Sequence, residues 1–147
     1  MIYLYSPNLP PSSNNAYYNI PGKGKARALT TEGKKYKAET TTFLSRNFPW
    51  ELKFILPDVP YFVYARFSFL TLVNDETRKG TKTRYKKFDV SNRLKLFEDC
   101  LKDVCGIDDS QFLLETIEKR VGTEENTETF IWNMEKEKLP IGELLRL

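Results

Sequence analysis

The sequence predicts an α+β fold, a mixed β-sheet with two main helices, and three observations favour it. Residues 61–73 are aromatic or β-branched along most of their length, which is typical of a buried strand. Residues 30–47 and 91–105 carry apolar side chains at helical spacing. Two further stretches rich in β-formers lie near the C-terminal end. With 147 residues and no internal repeat, we expect one domain over residues 1–147.

The composition is that of a folded, mildly basic protein, and it excludes several classes of enzyme. Hydrophobic residues make up 40% and aromatic residues 14% of the chain, which argues against disorder. The net charge is only +3, so the local distribution of charge is more informative than the total. The chain has no histidine, which excludes Ser/His/Asp and Cys/His triads and histidine-based zinc sites.

The cysteine pattern and the absence of long apolar runs predict a cytoplasmic protein. Cys100 and Cys105 face different sides of the predicted helix, so we expect both to be reduced. No signal-peptide pattern is visible, and no apolar run approaches the roughly 20 residues that cross a bilayer. We therefore expect no association with a membrane.

The N-terminal third combines a proline-rich loop with a basic loop. Residues 1–4 predict a short strand, and the segment 10–18 predicts a loop or short turn rich in Asn and Tyr. Asn can bond phosphate and Tyr can stack on a base, although a rigid loop packed by tyrosines is the alternative. Residues 21–27 form a basic loop with glycine hinges, suited either to phosphate contact or to a solvated surface.

The remaining elements follow from periodicity and punctuation. Thr30 or Thr31 is expected to cap the first helix, which ends before Pro49, and residues 52–56 are expected to form an edge segment or strand. Both sides of 61–73 are apolar, which predicts a central strand. Residues 112–121 and 129–134 predict a hairpin with an exposed acidic turn at 122–128, and 139–147 predicts a short amphipathic helix.

The second helix carries the most informative polar residues. Ser91 is expected to be its N-cap, and Gly106 its stop. Asn92, Lys95 and Asp99 recur three and four apart and share a polar face. The opposite side is an apolar stripe of Leu94, Phe97, Leu101, Val104 and Cys105.

Carboxylates lie at both ends of this helix. Asp89 precedes it, whereas Asp108 and Asp109 follow it. At 1.5 Å per residue the helix alone would hold these groups roughly 20 Å apart, so a shared metal ion requires the following turn to fold back. Hard oxygen ligands of this kind suit Mg²⁺, whereas helix capping and a solvated acidic turn are the alternative.

A cluster of cations precedes Asp89 directly. Six cations and no acid occupy ten residues, which indicates a contact with nucleic acid, with a solvated charged face as the alternative. They are Arg78, Lys79, Lys82, Arg84, Lys86 and Lys87.

Three blocks of this sequence resemble the RusA family of Holliday junction resolvases. Residues 89–95 read Asp-x-x-Asn-x-x-Lys, with an Asp four residues after the Lys, and 106–111 contain Gly followed by Asp-Asp-x-Gln. Residues 10–18, Pro-Pro-Ser-Ser-Asn-Asn-Ala-Tyr-Tyr, and 32–36, Glu-Gly-Lys-Lys-Tyr, agree with two further motifs. Their order and spacing are preserved across nearly the whole chain.

The resemblance implies a small homodimeric endonuclease that depends on Mg²⁺, with Mn²⁺ as a substitute, and nicks four-way DNA junctions symmetrically in recombination and repair. It also suggests a phage or prophage origin. The implied catalytic residues are Asp89, Lys95 and Asp109. Asp89 and Asp109 are the implied metal ligands, with Asp108 and Asp99 as further candidates. The candidate DNA contacts comprise Asn14, Asn15, Tyr17, Lys23, Lys25, Arg27, Asn92 and the six cations between 78 and 87.

One position departs from the family pattern, and it leaves alternatives open. The family commonly has a second Asp where this chain has Ser91. Ser91 can hold a metal-bound water, Asp99, Glu98 or Asp108 can compensate, or cleavage is weak or absent. The last case predicts a protein that binds branched DNA without cutting it. An interaction domain with no role in nucleic-acid binding is a second competitor.

Overall fold

The computed structural model describes residues 1–74, 84–86, 90–140 and 142, apart from the side chains of residues 13 and 14. In these residues a four-stranded mixed sheet and a two-stranded sheet are combined with helices, which confirms the α+β prediction. The strands are β1 (Ile2–Ser6), β2 (Tyr17–Asn19), β3 (Arg27–Leu29), β4 (Tyr61–Phe69), β5 (Phe112–Val121) and β6 (Asn126–Asn133). The helices are α1 (Ser13–Ala16), α2 (Thr31–Asn47), α3 (Pro49–Leu52) and α4 (Val90–Cys105), and Asp109–Gln111 forms a 3-10 turn.

The main sheet has the strand order β1-β6-β4-β5. Strand β4 pairs antiparallel with β6 and parallel with β5, so β5 and β6 are not neighbours and the predicted hairpin is wrong. The connection after β5 passes over the end of β4, where the Gly122 amide donates to the Phe69 carbonyl at 2.9 Å. The chain therefore returns on the far side of β4, whose two backbone edges are both satisfied.

The predicted exposed turn at 122–128 is also shorter than expected. Strand β6 already begins at Asn126, and Asn126 and Thr127 are buried. The Thr127 hydroxyl donates to the Asn8 carbonyl at 3.0 Å, which ties the start of β6 to the loop after β1.

Strand β4 is the central strand, as its two apolar sides predict, although it ends at Phe69 rather than at residue 73. Helices α2 and α4 pack on one face of the sheet. The core between them contains Leu4, Leu44, Val63, Phe97, Leu101 and Ile131. On the opposite face, Phe62 stacks on Trp132 with their ring centroids 5.0 Å apart.

Both main helices lie where the apolar periodicity predicts them. Thr30 caps α2 by accepting from the Gly33 amide at 3.1 Å, and Gly106, at φ +72°, follows the last residue of α4. Helix α4 begins at Val90, so Ser91 lies within its first turn and the prediction that Ser91 is the N-cap is wrong. Cys100 and Cys105 are free thiols, as expected.

The segment after α2 forms helix α3 and turns, so of the two alternatives for residues 52–56, an edge segment or a strand, the strand is wrong. Pro49 sits in the first turn of α3, where its fixed φ and missing amide favour a helix start. None of the helices in the described ranges combines the length and apolarity that a membrane span requires. The predicted C-terminal helix falls largely on residues outside those ranges.

Candidate active site

Helix α4 presents two rows of polar side chains, one with members seven residues apart and the other with members four residues apart. Lys95 and Lys102 lie in the first row, which faces Asp109 and Asp108 beyond the end of the helix. Asp99 and Asp103 form the second row, which faces β2 and α2. The predicted polar face is therefore divided between two sets of partners.

The Asp-Asp-x-Gln motif folds into a capped turn. The Asp108 carboxylate accepts from the Ser110 amide at 3.1 Å, and the Gln111 side chain accepts from the Asp108 amide at 3.4 Å. The Gln111 amide nitrogen also donates to the carbonyls of Leu56 and Val59, at 3.1 Å each. Three of the four motif residues thus hold the turn, and the Asp109 carboxylate remains directed towards α4.

Lys95 and Asp109 meet across this turn. Their Nζ and Oδ2 atoms are 4.0 Å apart, and their side chains are 66% and 56% exposed. Because both side chains are largely exposed, their ion pair contributes little to the stability of the fold. For the same reason both groups are accessible to a ligand. The acidic turn thus folds back far enough to bring Asp109 to Lys95. Asp89 lies outside the described residues, so its approach to Asp109 stays a prediction.

A second pair of acids, Glu98 of α4 and Glu115 of β5, adjoins Lys95 and Asp109. Glu98 is only 7% exposed, and its Oε1 atom is buried without a hydrogen-bond partner in the described part of the chain. Burial raises the pKa of Glu98 to about 8, helped by the charge of Glu115, a hydrogen bond to it and the charge of Asp109. Lys95 acts in the opposite direction. Glu98 therefore lies near two other acids and one ammonium group.

Glu115 was missed in the sequence, although a signal for it exists. Between Phe112 and Leu114 the register of β5 against β4 shifts by one residue, so Glu115 pairs with Val63 and Ile117 with Ala65. Val63, Ala65 and Ile117 pack on the helix-facing side of the sheet, and Glu115 shares their side. In the sequence, Glu115 lies two residues before Ile117, so alternation along the strand places both side chains on the same face of the sheet. This spacing could have predicted a glutamate on the face that packs against the helices.

Two further predicted metal ligands, Asp99 and Asp108, also have protein partners. The Tyr17 hydroxyl donates to the Asp99 carboxylate at 3.2 Å, and burial together with this carboxylate raises the pKa of Tyr17 to about 12. Lys102 donates to Asp108 at 2.6 Å, and this bond holds the pKa of Asp108 well below its ordinary value. Asp99 therefore anchors the N-terminal block, and Asp108 stabilises the acidic turn.

The predicted basic loop is the tip of a hairpin formed by β2 and β3, which pair antiparallel. Gly22 and Gly24 have φ values of +74° and +60°, a conformation that glycine adopts without strain. The Arg27 guanidinium lies 5.9 Å from the centroid of the Tyr17 ring, and Tyr17 in turn contacts Asp99. Arg27 is thus tied to the polar face of α4 through Tyr17, and the exposed cations Lys23 and Lys25 lie in the loop of the same hairpin.

The other predicted DNA contacts are described in part. Asn15 is exposed, and its carbonyl accepts from the Thr30 hydroxyl; the side chain of Asn14 is outside the description. Asn92 is half-buried in the first turn of α4. Residues 72–74 bond antiparallel to 84–86, with the Lys86 amide donating to the Leu72 carbonyl at 2.9 Å. Arg84 and Lys86 belong to this ladder, whereas Arg78, Lys79, Lys82 and Lys87 lie outside the described residues.

The donor set at this site fits a hard divalent cation. Within the described residues no three His, Cys, Asp or Glu side chains are grouped closely enough to hold a metal ion. Mg²⁺ typically takes only one or two carboxylates and keeps several waters, so a full protein cage is not required. Two neighbouring carboxyl groups, Glu98 and Glu115, would be enough as protein donors, and the unpartnered Glu98 oxygen is an acceptor available for such an ion.

Exposed and buried acids beside a lysine are groups that enzymes use to hydrolyse phosphodiester bonds. A family model described as Endodeoxyribonuclease RusA matches residues 7–131. The chain belongs to this family of endodeoxyribonucleases, whose activity is the resolution of Holliday junctions, and the resemblance seen in the sequence is confirmed. A search of curated proteins found no match.

Proposed function

We propose that this protein is a Mg²⁺-dependent endonuclease that resolves four-way DNA junctions by paired symmetric nicks in recombination and repair, with Mn²⁺ able to replace Mg²⁺. The observation that carries the proposal is the approach of Lys95 to Asp109 at 4.0 Å, because it joins two separate family motifs in one site. The two free cysteines fit a reducing compartment, and we infer that the protein acts in the cytoplasm.

The proposed reaction is hydrolysis of a phosphodiester. A water oxygen bonds to phosphorus, the bond from phosphorus to the leaving oxygen breaks, and a proton passes to that oxygen. Lys95 would hold the scissile phosphate and stabilise negative charge on its oxygens. Asp109 and Asp89 would hold the cation, which when bound lowers the pKa of a coordinated water and shields the phosphate charge. Asn92 would brace the start of α4 beside these groups.

The cations near the site would offset the repulsion between DNA phosphates and the acids. Arg27 contacts Tyr17, which bonds Asp99 of α4, and Lys23 and Lys25 lie in the loop of the same hairpin. The basic segment 78–87 immediately precedes Asp89. Such contacts bind phosphate without reading sequence, which suits recognition of a branched shape. A homodimer would place two sites on one junction, one for each nick.

Cleavage of a four-way junction in Mg²⁺ tests this proposal. Lys95→Ala, Asp109→Asn and Asp89→Asn should each lower the cleavage rate by at least about 100-fold, since each removes a group that stabilises the transition state. The two Asn variants should bind the junction as well as the parent or better, because a carboxylate that repels phosphate is gone. Asp103→Asn, on the same helix but paired with Lys37, is the matched control and should cut normally. Lost binding with unchanged cleavage would contradict the assignment.

The second candidate is a protein that binds branched DNA without cutting it. Ser91 favours it, because the first turn of α4 then lacks a carboxylate at the position where the family commonly has one. Junction binding without nicks across a series of Mg²⁺ and Mn²⁺ concentrations would support the binder and exclude the nuclease.

A further inference from the structure

The pairing of Glu98 with Glu115 needs a physical explanation that the ion pairs of the site do not supply. The two carboxyl groups are close enough to share a hydrogen bond, and Asp109 adds a third negative charge nearby. In the described residues neither glutamate forms a salt bridge, since Lys95 pairs with Asp109 and Lys102 with Asp108. Like charges held together in this way destabilise a fold unless a proton or a cation lies between them.

The burial of Glu98 points to a ligand rather than to a solvated acidic patch. With 7% exposure the side chain has lost nearly all of its water, and its Oε1 atom has no hydrogen-bond partner among the described residues. A buried acceptor left unpaired costs about 1–3 kcal/mol, and more when it is charged. Glu115, in contrast, is exposed, so a path from solvent to the pair is open.

Helix geometry places this pair beside the proposed catalytic groups. Ser91, Lys95 and Glu98 are separated by four and three residues, so they lie on one side of α4. Glu98 follows Ser91 by about two helical turns, roughly 10 Å along the axis. The first turn of α4 thus has no carboxylate at Ser91, and Glu98 supplies one about two turns further along the same side of the helix. At that point the helix faces Glu115 of β5.

We propose that Glu98 and Glu115 are the protein ligands of a divalent-cation site between α4 and β5, with Asp109 at its edge and Lys95 beside it. The ion is of the hard, oxygen-preferring class, Mg²⁺ or Mn²⁺, because all donors are carboxylates and water completes the shell. The participation of this ion in cleavage rests on the proposed function, whereas its binding does not.

Direct measurement of cation binding tests the site without relying on activity. The full-length protein is titrated with Mn²⁺, and free Mn²⁺ is followed by electron paramagnetic resonance for the parent, Glu98→Gln and Glu115→Gln. Each Gln variant should bind at least about tenfold more weakly, since it loses one anionic ligand. Asp103→Asn removes an acid from the other side of α4 and should bind as the parent does.

Thermal unfolding of the same samples provides a second readout. With added Mg²⁺, the parent should gain stability and the Gln variants should gain little, because a ligand stabilises only the state that binds it.

The outcomes separate this site from the proposed function. Equal Mn²⁺ affinity in the parent and in folded Gln variants, or no binding by the parent, would overturn the site and leave a shared proton as the explanation of the pair. If the parent still cuts junctions in that case, the proposed function stands. If binding depends on Glu98 and Glu115 but the parent cuts no junction, the site stands and the nuclease proposal fails.

Discussion

Gly33 lies at the closest backbone approach between α2 and the N-terminal block. A Cβ atom at this position would lie 2.5 Å from the Ala16 carbonyl oxygen and 3.0 Å from Leu29 Cδ2. The carbonyl cannot move freely, since it accepts from the Thr30 amide at 2.8 Å. The glycine of the Glu-Gly-x-x-Tyr motif is therefore required for packing, and it helps to place Tyr17, the residue after Ala16, against α4.

Replacing Gly33 by alanine should destabilise the fold despite the higher helix propensity of alanine. We expect a loss of about 1–3 kcal/mol in the free energy of unfolding, the range for overpacked sites. Urea denaturation measures it. Lys34→Ala, at the next and exposed position, should change this free energy by less than about 0.5 kcal/mol. A Gly33→Ala variant as stable as the parent would show that α1 can shift away.

At the level of the element, an ion-pair network spans the three strands β5, β4 and β6 on the side away from the helices. The Arg66 Nε donates to Glu118 at 2.7 Å, and the Tyr64 hydroxyl donates to the same carboxylate. Arg66 also lies 3.7 Å from Glu128, to which Arg120 donates. The network joins strands that are distant in sequence and helps to define their order.

This network should make the stability of the protein depend on acid pH. Burial alone would raise the pKa of Glu118, but the hydrogen bonds from Tyr64 and Arg66 outweigh it and lower the pKa below its ordinary 4.5. The stabilisation is therefore present above that pH and is lost as the pH falls through the lower value in the folded state. Glu118→Gln should lower the free energy of unfolding at neutral pH. This free energy should also fall less steeply with decreasing pH than in the parent.

The measurement is the urea midpoint of parent and variant across a series from neutral to acid pH. Glu125→Gln, in the exposed connection between β5 and β6, is the control and should follow the parent. Parallel curves for parent and Glu118→Gln would contradict the assignment of the acid dependence to this network.

At the level of the whole molecule, the distribution of charge should govern binding to DNA more than the modest net charge of +3. Alanine at Lys23, Lys25 and Arg27 should lower affinity for junction DNA and make it less sensitive to salt. Each lost phosphate contact reduces the slope of log affinity against log salt by about 0.9. Fluorescence anisotropy at several salt concentrations measures both quantities.

A matched variant distinguishes local contacts from total charge. Alanine at Arg46, Lys136 and Lys138 removes three exposed cations away from the hairpin. This variant should retain nearly the parental salt slope. If both variants reduce the slope equally, binding depends on net charge and the hairpin is not a specific DNA contact.

Local patterns in the sequence predicted most of the helices and strands, together with Lys95 and Asp109 of the candidate site. Apolar periodicity located α2 and α4, and the Asp-x-x-Asn-x-x-Lys and Asp-Asp-x-Gln motifs singled out Lys95 and Asp109. These signals are local because a helix or a turn is specified by residues a few positions apart. The pairing of β5 and β6 with β4 was not predictable in the same way, since it joins residues far apart in the chain.

The sequence alone thus established the class of fold, the two helices and the two motifs whose residues meet. Tertiary structure decided the strand order and the partners of Asp99 and Asp108, and it brought Glu115 to Glu98. The physical reason is that composition and spacing specify which groups a segment carries. Whether a carboxylate meets a lysine, a tyrosine or a second carboxylate depends on packing between segments and on a one-residue shift in strand register.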